Sequence, residues 1–146
     1  MKDLQTENLN NQLKSASTED FDSYVENLQQ IPTLPEFFSS YIARHNLKAS
    51  QIIRESGISS GYAYEILDGK KKNPSRDYLL ALCLGAHMDL PDVQRALRIA
   101  QLGELYAKVP RDAAIMIHIN NKNWNIMNIN MFLEEHDLDV IVLSKK

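Results

Sequence analysis

The sequence predicts an all-α protein. Only five glycines and five prolines occur in 146 residues. Apolar residues recur at spacings of three and four along nearly the whole chain, and no sustained apolar–polar alternation of the kind a half-buried strand needs occurs before the tail. With 44% hydrophobic and 24% charged residues, the chain can build one compact domain or two small lobes without disulfides. The single cysteine, Cys83, lies inside an apolar run and reads as small core filler. It rules out a disulfide framework and suits a reducing compartment. No apolar run approaches the ~20 residues that span a bilayer, and the start has no basic-then-apolar leader pattern. A cytoplasmic protein without a membrane partner is expected.

Residues 1–33 predict two helices forming an N-terminal arm. The first carries Leu4, Leu9 and Leu13; the second starts at Ser17, with Asp20 three residues on, and carries Phe21, Tyr24, Val25 and Leu28. Ile31-Pro32-Thr33 interrupts the pattern. From Pro35 to His45 a helix sets Phe37, Phe38, Tyr41 and Ile42 on one face. Leu47 to Ser56 carries Leu47, Ile52 and Ile53, and the spacing of Leu47 to Ile52 is that of a hydrophobic staple. Gly57 ends that helix, because only a residue free of a Cβ adopts the left-handed turn cheaply. Ser59 then caps a short helix to Leu67. At 100° per residue, with Ala63 as buried centre, Ser59, Ile66 and Leu67 point inward. Gly61, Tyr64, Glu65 and Asp68 point out, flanked by Ser60 and Tyr62.

Beyond the Lys70-Lys71-Lys72-Asn73-Pro74 loop lies an internal repeat. Arg76-Asp77 with Leu79, Leu80, Leu82 and Leu84 matches Arg111-Asp112 with Ala114, Ile115, Ile117 and Ile119 at an offset of 35. After a one-residue slip, Leu90, Val93 and Leu97 match Ile126, Ile129 and Leu133. Each copy predicts a helical hairpin, and stacking the two buries faces that neither buries alone. The Arg-Asp pairs open helices, where the N-terminal dipole favours aspartate. Trp124, the only tryptophan, reads as a plug between helices or as an anchor for a partner. The apolar tail from Val140 to Leu143 docks on the core or on another subunit.

Formal net charge is −3, but it is unevenly spread. Residues 1–35 carry two basic and six acidic groups, residues 36–77 seven and five, and residues 78–146 seven and eight. Within a Debye length of ~8–10 Å the local stripe governs, so a basic middle stays compatible with nucleic acid despite the acidic total. The four histidines lack the spacing of a helical metal site, no nucleophile has a base beside it, and no glycine-rich phosphate loop occurs. The sequence therefore predicts neither enzyme, metal nor cofactor.

The stretch from Leu47 to Pro74 resembles the Cro and phage-repressor type helix-turn-helix family, also called the XRE family. The resemblance rests on Leu47, Ile52, Gly57-Ile58-Ser59, Ile66, Gly69-Lys70-Lys71, Asn73-Pro74-Ser75 and Leu79-Leu80, and covers about residues 34–90. It implies a five-helix repressor-like bundle over residues 34–100, preceded by the arm at 1–33 and succeeded by a helical hairpin and tail at 101–146. It also implies a bacterial or phage transcription regulator that binds double-stranded DNA, often as a homodimer, with the helix from Ser59 to Leu67 in the major groove. Two-fold pairing sets such helices ~34 Å apart.

In that dock Lys48, Lys70, Lys71, Lys72 and Arg76 neutralise phosphates, with Asn73 adding a hydrogen bond. Ser59 caps the recognition helix, and Ser60, Gly61, Tyr62 and Tyr64 meet base edges through hydroxyls and apolar contact. A second reading starts from the acidic total and from a recognition helix without Arg, Gln or Asn at its start. In it the bundle is a scaffold for an adaptor in bacterial signalling that holds a protein partner through the arm or the Trp124 region.

Overall fold

The computed structural model describes residues 2–28 and 31–143, with the backbone alone for 2–8. The Leu4 side chain expected on the first helix lies outside the described residues. All described regular structure is helical, without a strand, so the chain is all-α. It divides into two compact units, residues 1–32 and 33–146.

The first unit holds α1 (Lys2–Ser15), a 3₁₀ turn (Thr18–Asp20) and α2 (Phe21–Asn27). The expected start at Ser17 forms, its N–H donating to Asp20 Oδ2 at 3.0 Å. Neither the turn nor α2 buries a residue. Leu13, Phe21 and Val25 are exposed.

The second unit runs α3 (Leu34–Arg44), α4 (Ala49–Ser56), α5 (Ser60–Asp68), α6 (Arg76–Gly85), α7 (Leu90–Ile99), α8 (Pro110–Asn120) and α9 (Ile126–Glu135). Thr33 caps α3 reciprocally: Glu36 N–H donates to Thr33 Oγ1, and Thr33 N–H to Glu36 Oε1. The Phe37–Phe38–Tyr41 face of α3 is buried as its spacing requires. α6 is buried from Tyr78 to Gly85 and forms the spine of the core, with α4 packed across it. That crossing is close because Gly85 has no side chain: a Cβ there would collide with the carbonyl oxygen of Ile52 and reach the amide of Ser56 at 3.1 Å. Cys83 is fully buried within α6, and burial pushes its thiol pKa up.

The sequence repeat is a structural one. Arg76 donates from Nε to Gly103 O and from Nη2 to Glu104 O, and Arg111 donates from Nε to Asp139 O and from Nη2 to Val140 O. The Gln94 side chain pairs with both backbone groups of Leu105, and Asn130 pairs in the same way with Ile141. The one-residue slip falls in the loops, since residues 86–89 lead into α7 and residues 121–125 lead into α9. The copies differ where α4 lies: Leu82 is buried on α6, while Ile117, its counterpart on α8, is 58% exposed.

The Arg-Asp pairs open helices as expected, with Asp77 and Asp112 in the first turns of α6 and α8. Ser75 caps α6 by accepting from Tyr78 N–H. The two aspartates also pair across the repeat with the opposite arginines.

Candidate nucleic-acid interface

α4 and α5 meet through a three-residue turn whose geometry is set locally. Gly57 takes φ 77°, the left-handed conformation. Ser56 is buried, donates from Oγ to Ile53 O at 2.7 Å and accepts from Ile58 N–H at 3.2 Å. Its hydroxyl thus satisfies groups on both sides of the bend. Sequence reasoning misses Ser56, because a serine at a helix end ordinarily faces water. On the outside of the turn Leu143 Cδ1 lies 2.9 Å from where a Gly57 Cβ would stand, so the tail seats against the turn.

α5 buries Ala63 and Ile66, half-buries Leu67, and exposes Ser60, Gly61, Tyr64, Glu65 and Asp68. Ser59 departs from the expected inward direction: it precedes the helix as N-cap, outside the helical periodicity, is exposed, and makes no side-chain cap bond. Tyr62 is turned aside, half-buried and edge-on to Tyr78 with ring centroids 4.8 Å apart. Nothing lies within 4 Å of a Cβ placed on Gly61. The groove between α4 and α5, about 380 Å³, is lined by Ser50, Ile53, Arg54, Gly57, Ile58, Ser60 and Tyr64.

The loop after α5 is held by one carboxylate and one backbone carbonyl of that helix. Gly69 closes α5 with φ 90°. Asp68 Oδ1 accepts from Lys70 N–H at 2.9 Å, and Glu65 O accepts from Lys71 N–H at 2.8 Å. The side chains of Lys70, Lys71, Lys72 and Asn73 are exposed, with the Lys71 ammonium 5.9 Å from the centre of the Tyr62 ring. Lys48 is exposed as N-cap of α4, whose first turn has no side-chain cap.

Arg76 belongs elsewhere. Its guanidinium is spent on Asp112 and on the carbonyls of Gly103 and Glu104, with Nη1 to Oδ1 at 3.0 Å and Nη2 to Oδ2 at 2.9 Å. A side chain fixed by four hydrogen bonds is not free to neutralise a phosphate, so Arg76 leaves the contact set. Arg54 is exposed and lines the groove between α4 and α5; sequence reasoning misses it because a single charge on an amphipathic helix looks like ordinary solvated surface.

Trp124 is a plug. Its Nε1 donates to Met88 O at 2.8 Å, and its ring stacks on His87 at 4.7 Å, tying the α8–α9 loop to the α6–α7 loop. Among the described residues no three His, Cys, Asp or Glu side chains gather as a metal site would need, and no helix is long and apolar enough to cross a membrane. The chain matches no protein-family model, no curated protein and no solved structure.

Proposed function

We propose that this protein is a non-enzymatic, sequence-specific DNA-binding transcription regulator of the helix-turn-helix type, with α5 entering the major groove. One observation carries the reading: the outer face of α5 from Ser60 to Asp68 stays open to solvent, with exposed lysines at both ends of the two-helix unit. Lys48 stands at the start of α4 and Lys70, Lys71 and Lys72 stand beyond α5, where a docked helix meets the two phosphate walls of the groove. Asn73 adds a neutral donor, and Ser60, Gly61 and Tyr64 face the bases. Four phosphate contacts per protomer set a slope of about −3 to −4 in log affinity against log salt. Duplex binding measured from 50 to 200 mM salt tests this; a slope near zero overturns it.

A second reading, an adaptor that keeps the bundle as scaffold, is favoured by the first unit. There Leu13, Phe21 and Val25 are exposed beside the exposed acids Glu19, Asp20, Asp22 and Glu26. Reversing charge at Lys70, Lys71 and Lys72 separates the two: a DNA binder loses duplex affinity, and an adaptor keeps its protein partner.

A further inference from the structure

We infer that Arg54, on α4, is the side chain with which this protein reads a guanine, a specificity-determining residue outside the recognition helix. The inference rests on the proposal that the protein binds DNA. α5 has the sequence SGYAYEILD, so its polar groups are hydroxyls and carboxylates. None of them makes the bidentate contact to guanine O6 and N7 that arginine makes. A guanine reader has to come from a neighbouring element.

The chain has six arginines, and all but Arg54 are engaged. Arg76 and Arg111 hold Asp112 and Asp77. Arg98 pairs with Glu104 at 3.0 Å. Arg44 lies over the Tyr41 ring at 5.8 Å and Arg95 over Phe37 at 5.3 Å. Arg54 alone, among the described residues, has no ion pair, hydrogen bond or ring contact, and it is exposed. A planar five-donor fork left without partners on a folded surface is available to a ligand.

Its place favours a base over a phosphate. Arg54 lines the same groove as Ser60, the first residue of α5, and Tyr64, one turn further on. This is the end of the recognition helix that goes deepest into the major groove. Ser60 is small and Gly61 has open space where a Cβ would stand. α5 therefore leaves a gap before the base edges at its tip, and the long Arg54 side chain reaches across it. The lysines at 70–72 supply sequence-independent attraction, while Arg54 supplies register.

Selection of bound sites from random duplex DNA at one fixed salt concentration, with the full chain and with Arg54→Ala and Arg54→Lys, tests the assignment. The wild type is expected to enrich a site containing a guanine whose replacement costs about 5- to 100-fold in affinity. Arg54→Ala is expected to keep the rest of the site, to lose preference at that one position and to melt at the wild-type temperature. Arg54→Lys is expected to discriminate there less than the wild type. If Arg54→Ala still demands the same guanine, or weakens every sequence equally as a lost phosphate contact would, the assignment fails and DNA binding stands. A wild-type site without guanine has the same consequence. A wild type that binds no duplex overturns both.

Discussion

Arg76 and Asp112 form a two-pronged ion pair, Nη1 to Oδ1 at 3.0 Å and Nη2 to Oδ2 at 2.9 Å, and Arg111 reaches back to Asp77 through Nη2 alone, to Oδ1 at 3.1 Å and Oδ2 at 3.2 Å. Each arginine sits at the start of one hairpin, grips two carbonyls near that hairpin's end, and reaches across to the aspartate of the other. Each aspartate also accepts a backbone N–H: Asp112 from Tyr106 and Asp77 from Val142. The four helices α6 to α9 are thus locked by a pseudo-two-fold set of contacts at the beginnings of α6 and α8. Arg76→Ala strands Asp112, which is 4% exposed, with one backbone donor. The expected cost is about 2–4 kcal/mol in urea unfolding. Arg111→Ala should cost less, about 1–3 kcal/mol, because Asp77 is more open to water.

The same carboxylate gives the protein an acid limit. Burial alone pushes the Asp112 pKa up, but the hydrogen bond from Arg76, the N–H of Tyr106 and the charges of Arg76 and Arg111 outweigh it and hold the group below its ordinary value. A carboxyl depressed in the folded state adds stability that is complete above the unfolded pKa of about 4 and is lost as pH falls through the lower folded value. Urea midpoints measured from pH 6 down to pH 2 should show this loss at the acid end. Asp112→Asn should be less stable at neutral pH and flatter through the acid range.

Gly85 sets how near α4 comes to α6. Gly85→Ala places a methyl against the Ile52 carbonyl, a backbone group that moves only with its helix. Destabilisation of about 2–3 kcal/mol is expected, with faster amide exchange along α4. Because α4 carries the turn into α5, the proposed DNA-binding role further predicts weaker duplex binding by the folded fraction of this variant.

Cys83 offers a simple probe of the same core. It is fully buried and its thiol pKa is raised, so little thiolate exists at neutral pH and reagents do not reach it. Native protein should stay unmodified by a thiol-specific reagent over a time in which urea-unfolded protein reacts fully. Rapid labelling of the native state would show that α6 is not a closed spine in solution.

Short-range chemistry made much of the fold legible in the sequence. Helical periodicity located α3 to α9, Gly57 marked a left-handed end, and the repeat with its slip was plain in the apolar positions because both hairpins bury the same faces. Contacts fixed by distant partners were not legible. Arg76 sits beside the lysine loop and reads as one more cation; only the folding of Asp112 against it, 36 residues on, removes it from the surface. Nothing in the sequence around Gly85 marks it as a crossing point, since its requirement is imposed by the carbonyl of Ile52. Arg54 escapes notice for the converse reason, as its distinction is the absence of any partner among the described residues.

The contact between Gly57 and the tail gives the most discriminating prediction. Gly57→Ala carries two costs: a left-handed backbone with a Cβ, about 1–2 kcal/mol, and a collision with Leu143 Cδ1, whose near atom lies at 2.9 Å. The first is intrinsic to the backbone and independent of the tail. The second involves the far end of a flexible side chain and disappears if that side chain is cut back. In a double-mutant cycle Leu143→Ala should cost stability in the wild type by exposing the turn, and cost less or nothing when Gly57 is already alanine. A coupling of about 0.5–1 kcal/mol is expected, the size usual for residues in direct contact. Strict additivity would mean that the tail does not rest on the turn in solution, and that α4, Gly57 and α5 keep their geometry without the second hairpin's help.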